Sequence, residues 1–371
     1  MWNKLIKKLQ NFTNSKQASS LLLFGFFYMV AAASHSGFMA KYGLLDANSY
    51  NNSSFINMVD GTADKPFVYR QLIPTLAKVA QPVISESNSI FFVKLRKYFE
   101  YNIDPSESFS KATTANIHGY EYSYRIAYLV NFAALLFSLF ILRQLALDYG
   151  YGQIESTLAP SVFILAFPYI QTGGGYFYDS VELVFFSSAV LLASKGHWIS
   201  LAILAVVATL NKESFFFIIP TLYPFLREKF SQNKTIVVLI LAIIISGVVN
   251  VYIKSFFQES SGVPMQFHLL KNIKDYFRLG TYFQYETTYG LPSPRGFFIT
   301  TIALMFIIVM RGWHEVAPIW KSHMLIATVI NLPLFLVFCS SGELRNLSMT
   351  FVGFVIFIAA SLKAAQINNG K

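Results

Sequence analysis

The chain of 371 residues is poor in charge and almost free of cysteine: 13% of it is Asp, Glu, Lys or Arg, and there is one Cys. That thiol, Cys339, lies in an apolar run, so neither a disulfide framework nor a cysteine metal site is available. Histidine is sparse as well. His35, His118, His197, His268, His314 and His323 show no metal-ligand spacing and no i, i+4 pair. Gly-x-Ser-x-Gly, His-Glu-x-x-His and a Ser/His/Asp order are all missing, which leaves protease and lipase readings without support. A net charge of +10 invites a nucleic-acid reading, yet no soluble basic domain exists to carry one. No nucleic-acid partner is expected.

What remains is apolar. With 54% hydrophobic residues, 37 Phe and 21 Tyr, the composition is that of an all-α polytopic membrane protein with interfacial aromatics. Apolar runs fall at about 19–40, 122–144, 155–171, 176–194, 198–211, 213–226, 234–253, 297–311, 322–340 and 346–363. Most have the roughly 17–25 residues that a spanning helix needs, so about ten transmembrane helices are expected in a single domain over 1–371. The run 19–40 is too long for a signal-peptide core and reads as a retained helix. The shorter pair 198–211 and 213–226 reads as a hairpin broken near one membrane face.

Charge sets the orientation. Lys4, Lys7, Lys8 and Lys16 precede the first run without an acid, which places the N-terminus in the cytoplasm. Ten crossings return the C-terminus there. Arg143, Lys195, Arg227, Lys229, Lys234, Arg311, Lys321, Lys363 and Lys371 then fall inside, with Asp148, Glu155, Glu228 and Glu315. His197, His314 and His323 are expected at that inner interface. Two long segments face outward, 41–121 and 254–296. The first holds two stretches that read as helices in the interface plane. One is Phe67 to Ala80, with Val68, Leu72, Leu76 and Val79 on one face; the other is Ile90 to Phe99, mixing Phe91, Phe92 and Leu95 with Lys94, Arg96 and Lys97. The second outer segment carries Lys271, Lys274, Arg278 and Arg295 against Glu259, Asp275 and Glu286, and long loops are exempt from the charge rule.

This topology brings five polar groups to the outer face: Asp46 with Asp60, Asp64 and Arg70; Gln171 to Asp179 with Glu182; Asn211-Lys212-Glu213; Tyr282 to Tyr289 around Glu286; and Ser340 to Arg345, with Glu343. Ionisable groups at helix ends or within the apolar slab usually face a cavity or a partner. Asp46 can act as a base on an acceptor hydroxyl or cap a turn. Tyr69-Arg70 can clamp a phosphate or anchor to lipid headgroups. Asp179 and Glu182, three apart, share a helix face, and the bland role for Asp179 is pairing with a neighbouring helix's Arg or Lys. Lys212-Glu213 and Glu343-Arg345 can bind phosphate or join helices by salt bridges. The triple glycine Gly173-Gly174-Gly175 has no strand before it and no Gly-Lys-Ser/Thr after it, so it is no nucleotide loop.

An acid soon after the first transmembrane helix, in a long outer loop with interfacial helices, resembles the GT-C superfamily of membrane glycosyltransferases. The run Pro66-Phe67-Val68-Tyr69-Arg70-Gln71-Leu72-Ile73-Pro74, followed by Asp179, Asn211-Lys212-Glu213 and Glu343-Leu344-Arg345, is similar to bacterial GT-C-like proteins with a Pro-Phe-x-Tyr-Arg-x-Leu-x-Pro signature. The resemblance implies a polyprenyl-phosphate-linked sugar donor, a glycan, lipid or protein acceptor outside the cytoplasm, and a bacterial inner-membrane location. Asp46 is the matching general base. Arg70, Lys212 and Arg345, with Tyr69, match the donor-phosphate positions, and Asp179, Glu182, Glu213, Glu286 and Glu343 support the pocket. Asp46 is not followed by a second acid, as it is in several branches, which leaves the base and any divalent metal open; no other cofactor is implied. A polymerase or ligase of lipid-linked glycans, a transporter or flippase of such substrates, and a non-catalytic scaffold are the alternatives.

Overall fold

The structure is a computed structural model that describes residues 16–41, 54–87, 89–102, 120–171, 176–288 and 291–369. Asp46, His118, Gly173 to Gly175 and Tyr289 lie outside the described residues. The chain is helical: α1 (Lys16–Lys41), α2 (Phe55–Asp60), α3 (Leu72–Glu86), α4 (Ile90–Asn102), α5 (Glu121–Asp148), α6 (Gln153–Ile170), α7 (Phe177–Lys195), α8 (Trp198–Asn211), α9 (Phe215–Ile218), α10 (Tyr223–Lys229), α11 (Gln232–Phe256), α12 (Leu269–Tyr276), α13 (Ile299–Gly312), α14 (Pro318–Phe338) and α15 (Phe351–Asn369). Six helical stretches among the described residues are long and apolar enough to cross a membrane: Ala18–Met39, Tyr122–Asp148, Phe177–Lys195, Gln232–Phe256, Pro318–Phe338 and Leu344–Gln366. Two shorter apolar helices, α8 and α13, accompany them.

The expected elements shift where proline intervenes. A helix from Phe67 would put Pro74 in its interior, where the missing N–H and the ring clash are costly. Instead Phe67–Tyr69 forms a 3-10 turn and α3 begins at Leu72, which puts Pro74 in the first turn. The run 213–226 is likewise not one helix. It divides into α9, a 3-10 turn Ile219–Leu222 and α10, with Pro220 and Pro224 at the starts of the last two pieces. The segment 254–296 also departs from an all-α reading. It contains an antiparallel hairpin, β1 (Tyr285–Thr288) and β2 (Leu291–Pro294), with Tyr285 opposite Pro294 and Thr288 opposite Leu291.

The main core is aromatic and aliphatic, with Phe27, Leu139, Phe163, Phe186, Trp320 and Val355 fully or almost fully buried. A second core, built on Phe55, Met58, Val68, Tyr124, Phe177 and Val181, joins α2 and α3 to the start of α7. The outer surface stays apolar: Val237, Ile240, Ile244, Val248 and Val251 of α11 are all exposed. A surface of this kind suits hydrocarbon, not water. His323, expected at an interface, is instead fully buried, with Nδ1 2.9 Å from the Thr221 carbonyl.

The two long segments meet. The Lys65 N–H donates to the Ser261 carbonyl at 2.8 Å, Lys65 Nζ to the Gln258 carbonyl at 2.7 Å, and Ser261 Oγ to Asp64 Oδ1 at 2.8 Å. Gly262, at φ 82°, makes this approach possible: a Cβ there would lie 2.9 Å from the Lys65 carbonyl oxygen. At the other end of the bundle, Lys195 pairs with Asp148 at 2.8 Å and Lys363 with Glu315 at 3.2 Å.

Candidate functional site

The site starts from the first turn of α7. Asp179 occupies its third position, and its Oδ2 accepts the Tyr176 N–H at 3.0 Å, closing the helix start. A carboxylate there also faces the positive end of the helix dipole. One turn later Glu182 projects on the same side. Both reach Lys212: Nζ lies 2.7 Å from Glu182 Oε2 and 3.5 Å from Asp179 Oδ1. All three side chains are buried.

Lys212 arrives there because α8 stops one residue earlier. Its backbone is extended, at φ −161° and ψ 132°, and Asn211 Nδ2 donates to the Tyr178 carbonyl at 3.0 Å. The turn continues through Glu213, which pairs with Arg70 at 3.4 Å, and Ser214, whose hydroxyl donates to Glu182 Oε1. Arg70 follows the 3-10 turn Phe67–Tyr69, its guanidinium 4.3 Å from the centre of the Tyr178 ring and hydrogen-bonded to the Tyr178 hydroxyl. From the far end of the chain, the 3-10 stretch Leu344–Thr350 brings Arg345 within 3.5 Å of both Asp179 and Glu343. Its guanidinium lies 4.8 Å from the Tyr176 ring, and Tyr176 and Tyr178 are stacked at 5.0 Å.

Seven of the expected residues therefore form one network: Arg70, Asp179, Glu182, Lys212, Glu213, Glu343 and Arg345. Tyr69 borders it, buried, with Lys254 Nζ 5.5 Å from its ring; burial, and then the Glu213 carboxylate, push its phenol up. Glu286 sits on β1 of the hairpin. Asp60 accepts from the Tyr120 hydroxyl and Asp64 from Ser261, so neither joins the network. Tyr176 and Tyr178 enter the sequence reading only within the run Gln171 to Asp179, with no role of their own, and Ser214 does not enter it. The Tyr-Phe-Tyr-Asp order was the available signal, since residues two apart at a helix start can both border the acid.

Four carboxylates meet three cations here, so every cation is already compensated. Each partner then depends on the others, since an unpaired buried charge is expensive. The pairing still leaves polar atoms over. Among the described residues, Nε of Arg70 and Arg345 are buried donors with no hydrogen-bond partner, and Glu213 Oε2 and Asn211 Oδ1 are buried acceptors in the same position. Spare N–H groups on guanidinium suit phosphoryl oxygens, and spare carboxylate and amide oxygens suit hydroxyl groups. Among the described residues no three His, Cys, Asp or Glu side chains are grouped as metal ligands. No protein-family model, curated protein or solved structure matches the chain.

Proposed function

We propose that the chain is a GT-C-type membrane glycosyltransferase that moves a sugar from a polyprenyl-phosphate carrier to an acceptor outside the cytoplasm. The observation that carries this reading is the meeting of Arg70, Asp179, Lys212 and Arg345 at one end of the helix bundle. A donor of this class presents phosphoryl oxygens beside sugar hydroxyls, the two kinds of group that the leftover donors and acceptors suit. Cations fixed there stabilise charge growing on the departing phosphate. The ring faces of Tyr178 beside Arg70 and of Tyr176 beside Arg345 help to orient the two guanidiniums.

The membrane path in this reading has ten crossings. Besides the long helices, α6, α8 and α13 each cross, and so does the stretch 213–229. In favour of that last crossing, Glu213 pairs with Arg70 at the site while Lys229 packs against Gly196 at the other end of α7. Both termini are then cytoplasmic, the charged network lies beneath the outer leaflet of a bacterial inner membrane, and α3 and α4 rest in the interface. Leu76, Val79 and Val83 of α3 are exposed and apolar, as that placement needs. A transporter would hold its polar site near the bilayer midplane; this network sits at helix ends.

Asp46 is the base in this proposal. Replacing Asp46 with Asn is expected to lower sugar transfer from polyprenyl-phosphate donor in isolated membranes by about 100-fold or more. Full transfer by that variant, at equal protein in the membrane, removes Asp46 from the role.

A further inference from the structure

The second long segment contains a helix whose depth is set by a membrane-length neighbour. Asn272 of α12 is fully buried, and its Nδ2 donates to the carbonyls of Leu336 at 2.8 Å and Cys339 at 2.7 Å. The His268 backbone N–H donates to the Val337 carbonyl at 2.8 Å. The last carbonyls of a helix have no donors within it, and α12 supplies three at the end of α14. It is thereby held at the level where α14 leaves the apolar slab.

The rest of α12 is arranged around that attachment. Toward the protein, Asp275 accepts from Ser341 Oγ at 2.8 Å, and the Gly342 N–H donates to the Tyr276 hydroxyl at 3.2 Å. Away from it stand Leu270, Ile273 and Phe277, spaced i, i+3 and i+7 and 84%, 45% and 87% exposed. Phe267 and Leu279 extend this apolar strip at either end. Beside it Lys271, Lys274 and Arg278 are exposed, and the only acid between residues 268 and 285 is Asp275, turned to Ser341.

We infer that α12 is an interfacial helix that binds anionic phospholipid headgroups. Its apolar strip enters the acyl boundary while Lys271, Lys274 and Arg278 contact phosphate groups, the division of labour of monotopic amphipathic helices. Charge complementarity and the attachment to α14 select a lipid surface as occupant. The inference needs only that α14 crosses a bilayer and stands whether or not the chain transfers sugar.

Two measurements test it on the full chain. In a Cys339→Ser background, Leu270→Cys and Phe277→Cys are each spin-labelled in nanodiscs of phosphatidylcholine and phosphatidylglycerol. Labels reached by oxygen and shielded from a water-soluble nickel chelate are expected; labels as open to nickel as one in bulk water overturn the placement. Native mass spectrometry then compares retained phosphatidylglycerol with retained phosphatidylcholine. The preference should fall at least about threefold in Lys271→Gln/Lys274→Gln/Arg278→Gln, a loss of cations consistent with removing headgroup contacts. An unchanged preference overturns the anionic-headgroup assignment. All three positions are exposed, so the substitutions leave the packing of α12 intact.

Discussion

The two ends of α7 carry the same chemistry in opposite settings. Asp179 and Lys195 are sixteen residues apart on this helix, or about 24 Å along its axis. At the first end, Lys212 and its acids are less than a tenth exposed. At the second, Lys195 is 44% exposed and Asp148 20%. An ion pair in water offsets little more than the entropy of holding it. A buried pair is different, because removing one partner leaves a charge with nowhere to go. The contrast separates a site from a solvated rim by burial, since the pair distances, 2.7 Å and 2.8 Å, are nearly equal.

Substitutions sharpen this contrast in descending order. Lys212→Met leaves Glu182 without its cation and Asp179 short of one, and is expected to cost about 3–5 kcal/mol in reversible unfolding from mixed micelles. A cost below that of a surface change breaks the comparison. Arg70→Lys keeps the charge but loses the flat guanidinium against Tyr178, and about 1–2 kcal/mol is expected in the same assay. Unaltered stability would mean that the contact with Tyr178 is passive. Lys195→Ala, at the opposite end, should stay within about 0.5 kcal/mol of the parent. A larger loss there would erase the distinction between the two ends.

The helical membrane class was legible because apolar runs of bilayer length follow from the thickness of the hydrocarbon core, and six such helices are present among the described residues. Asp179 with Glu182 was legible from helical spacing, and Lys212-Glu213 from its position between two apolar runs. Their partners were not. Nothing local in the sequence says that Arg345 reaches Asp179 across 166 residues, or that Ser214 turns to Glu182; both depend on where α8 stops and where the 3-10 stretch begins. Apolar periodicity does not mark where proline moves or divides helices, as it does at Pro74, Pro220 and Pro224. The fixed level of α12 was hidden for a similar reason: Asn272 reads as an ordinary polar residue until the carbonyls of α14 are placed beside it.

The central claim is that ionisable residues distant in sequence are energetically coupled at one end of the bundle. A double-mutant cycle on Glu182→Gln and Lys212→Met measures that coupling directly. The account predicts an interaction of about 1–3 kcal/mol, with the double variant more stable than the sum of single losses implies. Additive losses, with coupling near zero, would contradict it.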